Sequence, residues 1–142
     1  MFERFADSAK QAFFVARLNA FRDESKFIEG HHLLHSLLVG QDPIVLALLN
    51  RTQVSADRLL SALPSSPSRA VDTGDREIPF SEELKRALAF AAAEADGLKH
   101  AKIGTGHLLL GLLREEESAG RGLLTHAGVH SEAVRTALRE PV

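Results

Sequence analysis

The chain contains no cysteine, no tryptophan and no tyrosine. Without thiols it forms neither disulfides nor thiolate metal sites, a composition compatible with a reducing compartment. Eight phenylalanines are the only members of the Phe/Trp/Tyr set, which leaves few platforms on which nucleic-acid bases could stack. Charge of one sign is also missing. The formal net charge is −2 with both signs dispersed, so the chain is not expected to bind nucleic acid. No apolar run approaches the roughly 18–20 residues that cross a bilayer, and no membrane association is expected. The stretch Met1 to Asp7 lacks the basic and apolar regions of a signal peptide. A soluble cytoplasmic protein is the resulting expectation. Phosphate-binding glycine loops are absent as well. Ile103-Gly104-Thr105-Gly106-His107 has two glycines but follows a helical stretch, and no Lys-Ser/Thr comes after it. It reads as a turn and helix cap, and no cofactor is expected.

What the sequence does contain is a duplication. An offset of 75 places Phe5 on Phe80, Lys10 on Lys85, and Ala12, Ala16 and Ala20 on Ala87, Ala91 and Ala95. The same offset places Ile28 on Ile103, His32 on His107, and Leu33, Leu34, Leu37 and Leu38 on Leu108, Leu109, Leu112 and Leu113. Leu48, Leu49 and Val54 then meet Leu123, Leu124 and Val129. A gapless register of this length divides the chain into repeat one, 1–63, a Pro- and Ser-rich linker, 64–78, and repeat two, 79–142. Each copy is too small for a core of its own, so the two are expected to pack as one domain.

Apolar residues recur at three- and four-residue steps, which predicts helices throughout. Each copy has four such segments, giving an all-α fold of two pseudo-twofold four-helix units. Ser81 is the expected N-cap of the first helix in copy two, with Glu83 in its first turn. Thr105 is the expected cap of the second helix, with Gly30 in the matching place. His32 and His107 stand just inside those starts and read as structural residues.

Candidate chemistry is sparse. His31 and His35 share a helix face at the spacing of a zinc pair, yet the hydrolase motif needs Glu directly after the first His and His32 stands there. His31 aligns with Gly106 and His35 with Leu110, so only His32 is repeated. The expectation is no metal, with a small metal-dependent enzyme at His31 and His35 as the rival. Glu115-Glu116-Glu117 reads as a solvated helix end. No activated serine is recognisable in Ser8, Ser36 or Ser118, so no catalytic residue is assigned. The aromatic residues Phe2, Phe5 and Phe80 lie near the helix starts with Lys10 and Lys85 close by. Core packing is the simpler reading of Phe5 and Phe80. An aromatic flanked by a cation at repeat-related places would also suit a peptide-binding groove, and these five residues are the candidate partner contacts.

Met1-Phe2-Glu3-Arg4-Phe5, the segment Ile103 to Leu112 with its drifted copy Ile28 to Leu37, and the restart Ile78-Pro79-Phe80 together resemble the Clp N-terminal domain. They are most like the N-domains of ClpC- and ClpA-type AAA+ unfoldases. The resemblance implies a non-catalytic module that docks protein substrates or adaptor proteins for a Clp ATPase and its protease. It also implies a surface at Phe2, Lys10, Phe80 and Lys85 that binds cyclic peptides in the family. Some members bind phosphorylated arginine through a Glu before the motif His and a Thr near each first helix. Those places hold His31 and Gly106, and Ala6 and Ser81, in this chain, so both carboxylates that would fork a guanidinium are missing. The chain fits either an N-domain excised from an unfoldase or a free-standing member. A purely structural oligomerisation unit is a further alternative.

Overall fold

The computed structural model describes residues 3–40, 42–63, 78–115 and 119–139, and these form eight helices. They are α1 (Asp7–Arg22), α2 (Gly30–Val39), α3 (Pro43–Arg51), α4 (Ala56–Ala62), α5 (Glu82–Gly97), α6 (Thr105–Arg114), α7 (Ala119–Ala127) and α8 (Ser131–Arg139). The first three helices of each copy match in length at 16, 10 and 9 residues. Most of the linker lies outside the described residues. Its last member, Ile78, is buried in the core and is not part of an exposed connection.

Local chemistry explains where the helices start and stop. The Ser81 hydroxyl accepts from the Leu84 N–H at 3.2 Å, as its cap position requires. Asp42 caps α3 by accepting from the Ile44 and Val45 N–H groups, and Pro43 occupies the first turn, where its missing N–H costs nothing. Four helices end in the same motif. At Glu24, Gln53, Lys99 and Gly128 the backbone enters the left-handed region, with φ of 58°, 60°, 62° and 102°. The residues that follow donate back into the last turn: Ser25 to Ala20, Val54 to Leu49, His100 to Ala95 and Val129 to Leu124, all at 2.8–2.9 Å. Those N–H to C=O bonds satisfy carbonyls that the helix leaves open. Glu24 aligns with Lys99 and Gln53 with Gly128, so the turn chemistry is duplicated with the helices.

The hairpins α1–α2 and α5–α6 form the body of each repeat, and α2 and α6 also touch elements of the other repeat. Leu33, Leu34, Leu37 and Leu38 of α2 and Leu108, Leu109, Leu110 and Leu112 of α6 are almost wholly removed from water. Each such side chain contributes about 1.5–3 kcal/mol of burial. A Cβ on Gly111 would stand 2.2 Å from the Ala87 carbonyl oxygen, so α5 and α6 approach as closely as backbones allow. Ser36 holds the same place in repeat one. There the hydroxyl donates to the Ala12 carbonyl at 2.6 Å instead.

The two repeats clasp each other through exchanged extended segments. The Ala6 N–H donates to the Ile103 carbonyl at 2.9 Å and the Ile103 N–H donates to Arg4 at 2.7 Å. In the mirror arrangement, Ile28 donates to Pro79 at 2.8 Å and Ser81 donates to Ile28 at 2.9 Å. Each repeat therefore completes a two-residue parallel bridge on its neighbour. Side chains follow the same path. The Gly30 N–H donates to Glu83, and the Thr105 hydroxyl donates to Asp42 at 2.8 Å.

Candidate functional site

The repeated histidines sit at the third position of α2 and α6, not at the caps. Glu29 and Gly104 are the N-caps, which corrects the expectation that Thr105 and Gly30 fill that role. Thr105 is the first helical residue and is buried, its hydroxyl spent on Asp42 of the other repeat. The His32 Nδ1 accepts from the Glu29 N–H and the His107 Nδ1 from the Gly104 N–H, both at 2.9 Å. This covers an N–H that a helix start leaves unpaired. It also sets the tautomer, because a neutral ring with an accepting Nδ1 carries its proton on Nε2. His32 donates from Nε2 to Asp23 at 2.7 Å, and His107 donates to His100 Nδ1 at 2.8 Å. Burial, followed by the neighbouring His100, pushes the His107 pKa down to about 4. His32 is lowered by burial and by His31, against the pull of Asp23.

His31 is half-buried, its ring tilted 44° against that of His32 with centroids 4.1 Å apart, and 3.8 Å from both Asp23 and Glu29. Asp23, His31 and His32 place one ligand atom each within 4.8 Å of one another. A cation there would need the lone pair of His32 Nε2, but the Glu29 N–H occupies the Nδ1 lone pair and leaves the proton on Nε2. His32 is committed to the fold rather than offered as a ligand. His35 stands outside that group, its Nδ1 accepting from Asn19 at 3.1 Å. The spacing of His31 and His35 is thus not what the tertiary structure brings together.

The candidate partner residues divide. Phe5 is 9% exposed and packs edge-on against Phe13 with centroids 5.0 Å apart, so it belongs to the core. Phe80 is half-buried beside the same Phe13 ring at 5.9 Å. Lys10 and Lys85 are exposed, and Lys85 pairs with Glu82 at 3.2 Å. Phe2 lies outside the described residues. The positions that hold carboxylates and threonines in phosphoarginine binders are occupied differently. Ala6 is the N-cap of α1 without a side-chain bond, and Ser81 is the engaged cap of α5. Gly106 is covered: a Cβ there would meet Leu138 at 2.7 Å and Ile44 at 3.3 Å.

Two features were not anticipated from the residue pattern. Glu94, 8% exposed, receives Arg135 at 2.6 Å and Arg114 at 3.4 Å, tying α5 to α6 and α8. The second is an open apolar groove of about 700 Å³ between α3 and α8, floored by α6. The one sequence signal for it is α3 itself, Pro43-Ile44-Val45-Leu46-Ala47-Leu48-Leu49, which is apolar on every face although only part of it can be buried.

Two four-helix repeats, each bridged by the leading segment of the other, define an all-helical tandem-repeat domain. The family model described as the Clp repeat (R) N-terminal domain matches residues 4–94 and again 79–142, and the chain belongs to that family. It is 31% identical over 136 residues to the chloroplastic chaperone protein ClpC1 of Arabidopsis thaliana. The match covers 96% of this chain and 15% of that protein. It is 32% identical to the ATP-dependent Clp protease ATP-binding subunit ClpA homolog of Guillardia theta, covering 96% and 17%. The chain thus spans about a sixth of the length of the curated relatives it matches. Among solved structures, the N-domain of ClpV from Vibrio cholerae superposes with a TM-score of 0.77 at 20% identity, over 95% of this chain and 82% of that one. The N-terminal domain of the chaperone ClpD from Arabidopsis thaliana gives 0.71 at 20%, over 99% and 97%. These likenesses establish the all-helical Clp N-domain fold. No single helix among the described residues is long and apolar enough to cross a membrane.

Proposed function

We propose that this chain is a protein-binding module that docks substrates or adaptor proteins for a Clp AAA+ unfoldase. Clp N-domains are non-catalytic accessory domains of such ATPases, and the match of both repeats to that family carries the reading. The internal chemistry agrees with it. The buried histidines and carboxylates described above are spent on helix starts and interhelical ties, and what faces water is a docking surface. Lys10, Lys85 and the exposed edge of Phe80 are the proposed contacts on the face of the helix starts.

The test is binding of the immobilised chain to a permanently unfolded protein, to its native form and to a Clp ATPase. Micromolar retention of the unfolded protein or the ATPase over the native control is expected. A Lys10→Glu, Lys85→Glu pair should weaken it about tenfold by charge reversal at the rim. A folded chain that holds neither the unfolded protein nor the ATPase sinks the proposal.

A further inference from the structure

The repeat offset of 75 sets three aliphatic residues of repeat one against three arginines of repeat two. Val39 corresponds to Arg114, Leu46 to Arg121 and Leu60 to Arg135. Two of those arginines are tied to carboxylates. Arg114 and Arg135 reach Glu94 at 3.4 Å and 2.6 Å, and Arg135 also donates to Glu132, three residues before it on α8. In repeat one the place of Glu94 is held by Asn19, whose amide donates to the His32 carbonyl and to His35. The place of Glu132 is held by Asp57. Repeat one therefore keeps a carboxylate on its last helix and lacks both cations that meet it in repeat two.

An open pocket of about 410 Å³ lies at this place, lined by the end of α2, by α3 and by α4. Its volume suits a few side chains of a bound segment. Leu38, Val39, Leu46, Ala56 and Leu60 are its apolar lining, and Asp57 is the one charged residue among the described residues that line it. Val39 is 49% exposed and Leu46 38%, so two large aliphatic side chains stand in water there. Asp57 is exposed as well. Its backbone carbonyl accepts from Ser61, but its carboxylate has no hydrogen bond or ion pair among the described residues.

Repeat two shows what this arrangement accepts: a guanidinium seated on the carboxylate of the last helix. In repeat one that group has to come from outside the chain. Arginine and lysine lay their methylene stems on apolar side chains and turn the charged end to a carboxylate, which is the chemistry that an aliphatic pocket edged by Asp57 offers. The geometry points to the α2–α3–α4 pocket as a docking site for a basic, aliphatic segment of an unfolded protein. Its aliphatic side chains lie against Val39, Leu46 and Leu60, and its arginine or lysine pairs with Asp57. This rests on the protein-binding reading above and names the kind of segment the module takes.

The probe is a short fluorescein-labelled peptide with leucines at i, i+4 spacing and arginines between them. It is compared with a twin that carries glutamate for every arginine, by fluorescence anisotropy on the full chain. The basic peptide should bind about tenfold tighter than its twin, and the preference should shrink as salt screens the pair. Asp57→Asn should cut that preference to about twofold, whereas Glu132→Gln, which removes the same charge from the related place, should leave it unchanged. Val39→Arg puts the repeat-two residue at the mouth and should weaken basic-peptide binding about tenfold, with circular dichroism showing the fold intact. Equal binding of the twins overturns the proposal, as does a preference that Asp57→Asn leaves in place or that Glu132→Gln lowers as much. A wild-type chain that self-associates and that Val39→Arg returns to monomer overturns it in favour of a second copy in the pocket. A chain that retains an unfolded protein yet ignores the basic peptide overturns the pocket alone. Loss of both overturns the pocket and the module reading together.

Discussion

At position 107 a single imidazole does three things: it accepts from the Gly104 N–H at the start of α6, it donates to His100, and it stays neutral to do both. Its folded pKa of about 4 lies below the ordinary 6.5, so the unfolded chain binds the proton more readily. The sign follows from linkage. The stabilisation is present above pH 6.5 and is lost as the pH falls toward 4. His32 and His35, both lowered chiefly by burial, act in the same direction. Glu94, held low by Arg135, adds a further loss in the carboxylate range. His107→Gln keeps an acceptor for the Gly104 N–H but removes the titrating ring. The fall in Tm between pH 7.5 and pH 5 should then be smaller than in the wild-type chain. An unchanged fall would show that His107 does not carry the effect. The repeat alignment of His32 with His107 marked both as structural, but it could not show which nitrogen was used. Their Nε2 partners, Asp23 and His100, do not occupy equivalent places, and only the folded chain brings them into reach.

At the scale of the element, the four helices of each copy and the cap at Ser81 were legible because they depend on neighbours in sequence. Ser81 and Asp42 are good acceptors for N–H groups two or three residues on, and the apolar steps repeat with the helical period. The misassigned cap at Thr105 is instructive. A threonine hydroxyl suits a cap locally, yet Asp42 from the other repeat takes it as a donor, and Gly104 becomes the cap. Packing distance between elements shows the same dependence on tertiary context. Gly111→Ala puts a Cβ where the Ala87 carbonyl already stands, so α5 and α6 must separate. The expected cost is about 1–3 kcal/mol or more, read as a lower urea midpoint. Ser36 shows that the related site in repeat one carries a larger residue, so a loss below a few tenths of a kcal/mol at Gly111 would mean that the second hairpin can relax in the same way.

For the molecule as a whole, the exchanged bridges make the two repeats one cooperative unit. Ile103 is 3% exposed and receives the Ala6 N–H from the other repeat, so Ile103→Ala removes core and loosens the docking of the leading segment. A loss of about 2–5 kcal/mol is expected. Native-state hydrogen exchange should show it equally in α1 and α5. Protection that falls in α5 while α1 is untouched would mean that the repeats open separately.

By itself the sequence determined the duplication, the four helices of each copy and the all-α class, because each follows from local periodicity, capping and a register that needs no contacts to be seen. The tertiary structure alone decided how the copies meet. It put Phe5 against Phe13 in the core, the simpler of its two readings, separated His35 from the Asp23–His31–His32 group, and lined one open groove with residues of α3 and α8. Those outcomes depend on which side chains arrive from distant parts of the chain, and no local period or cap records that.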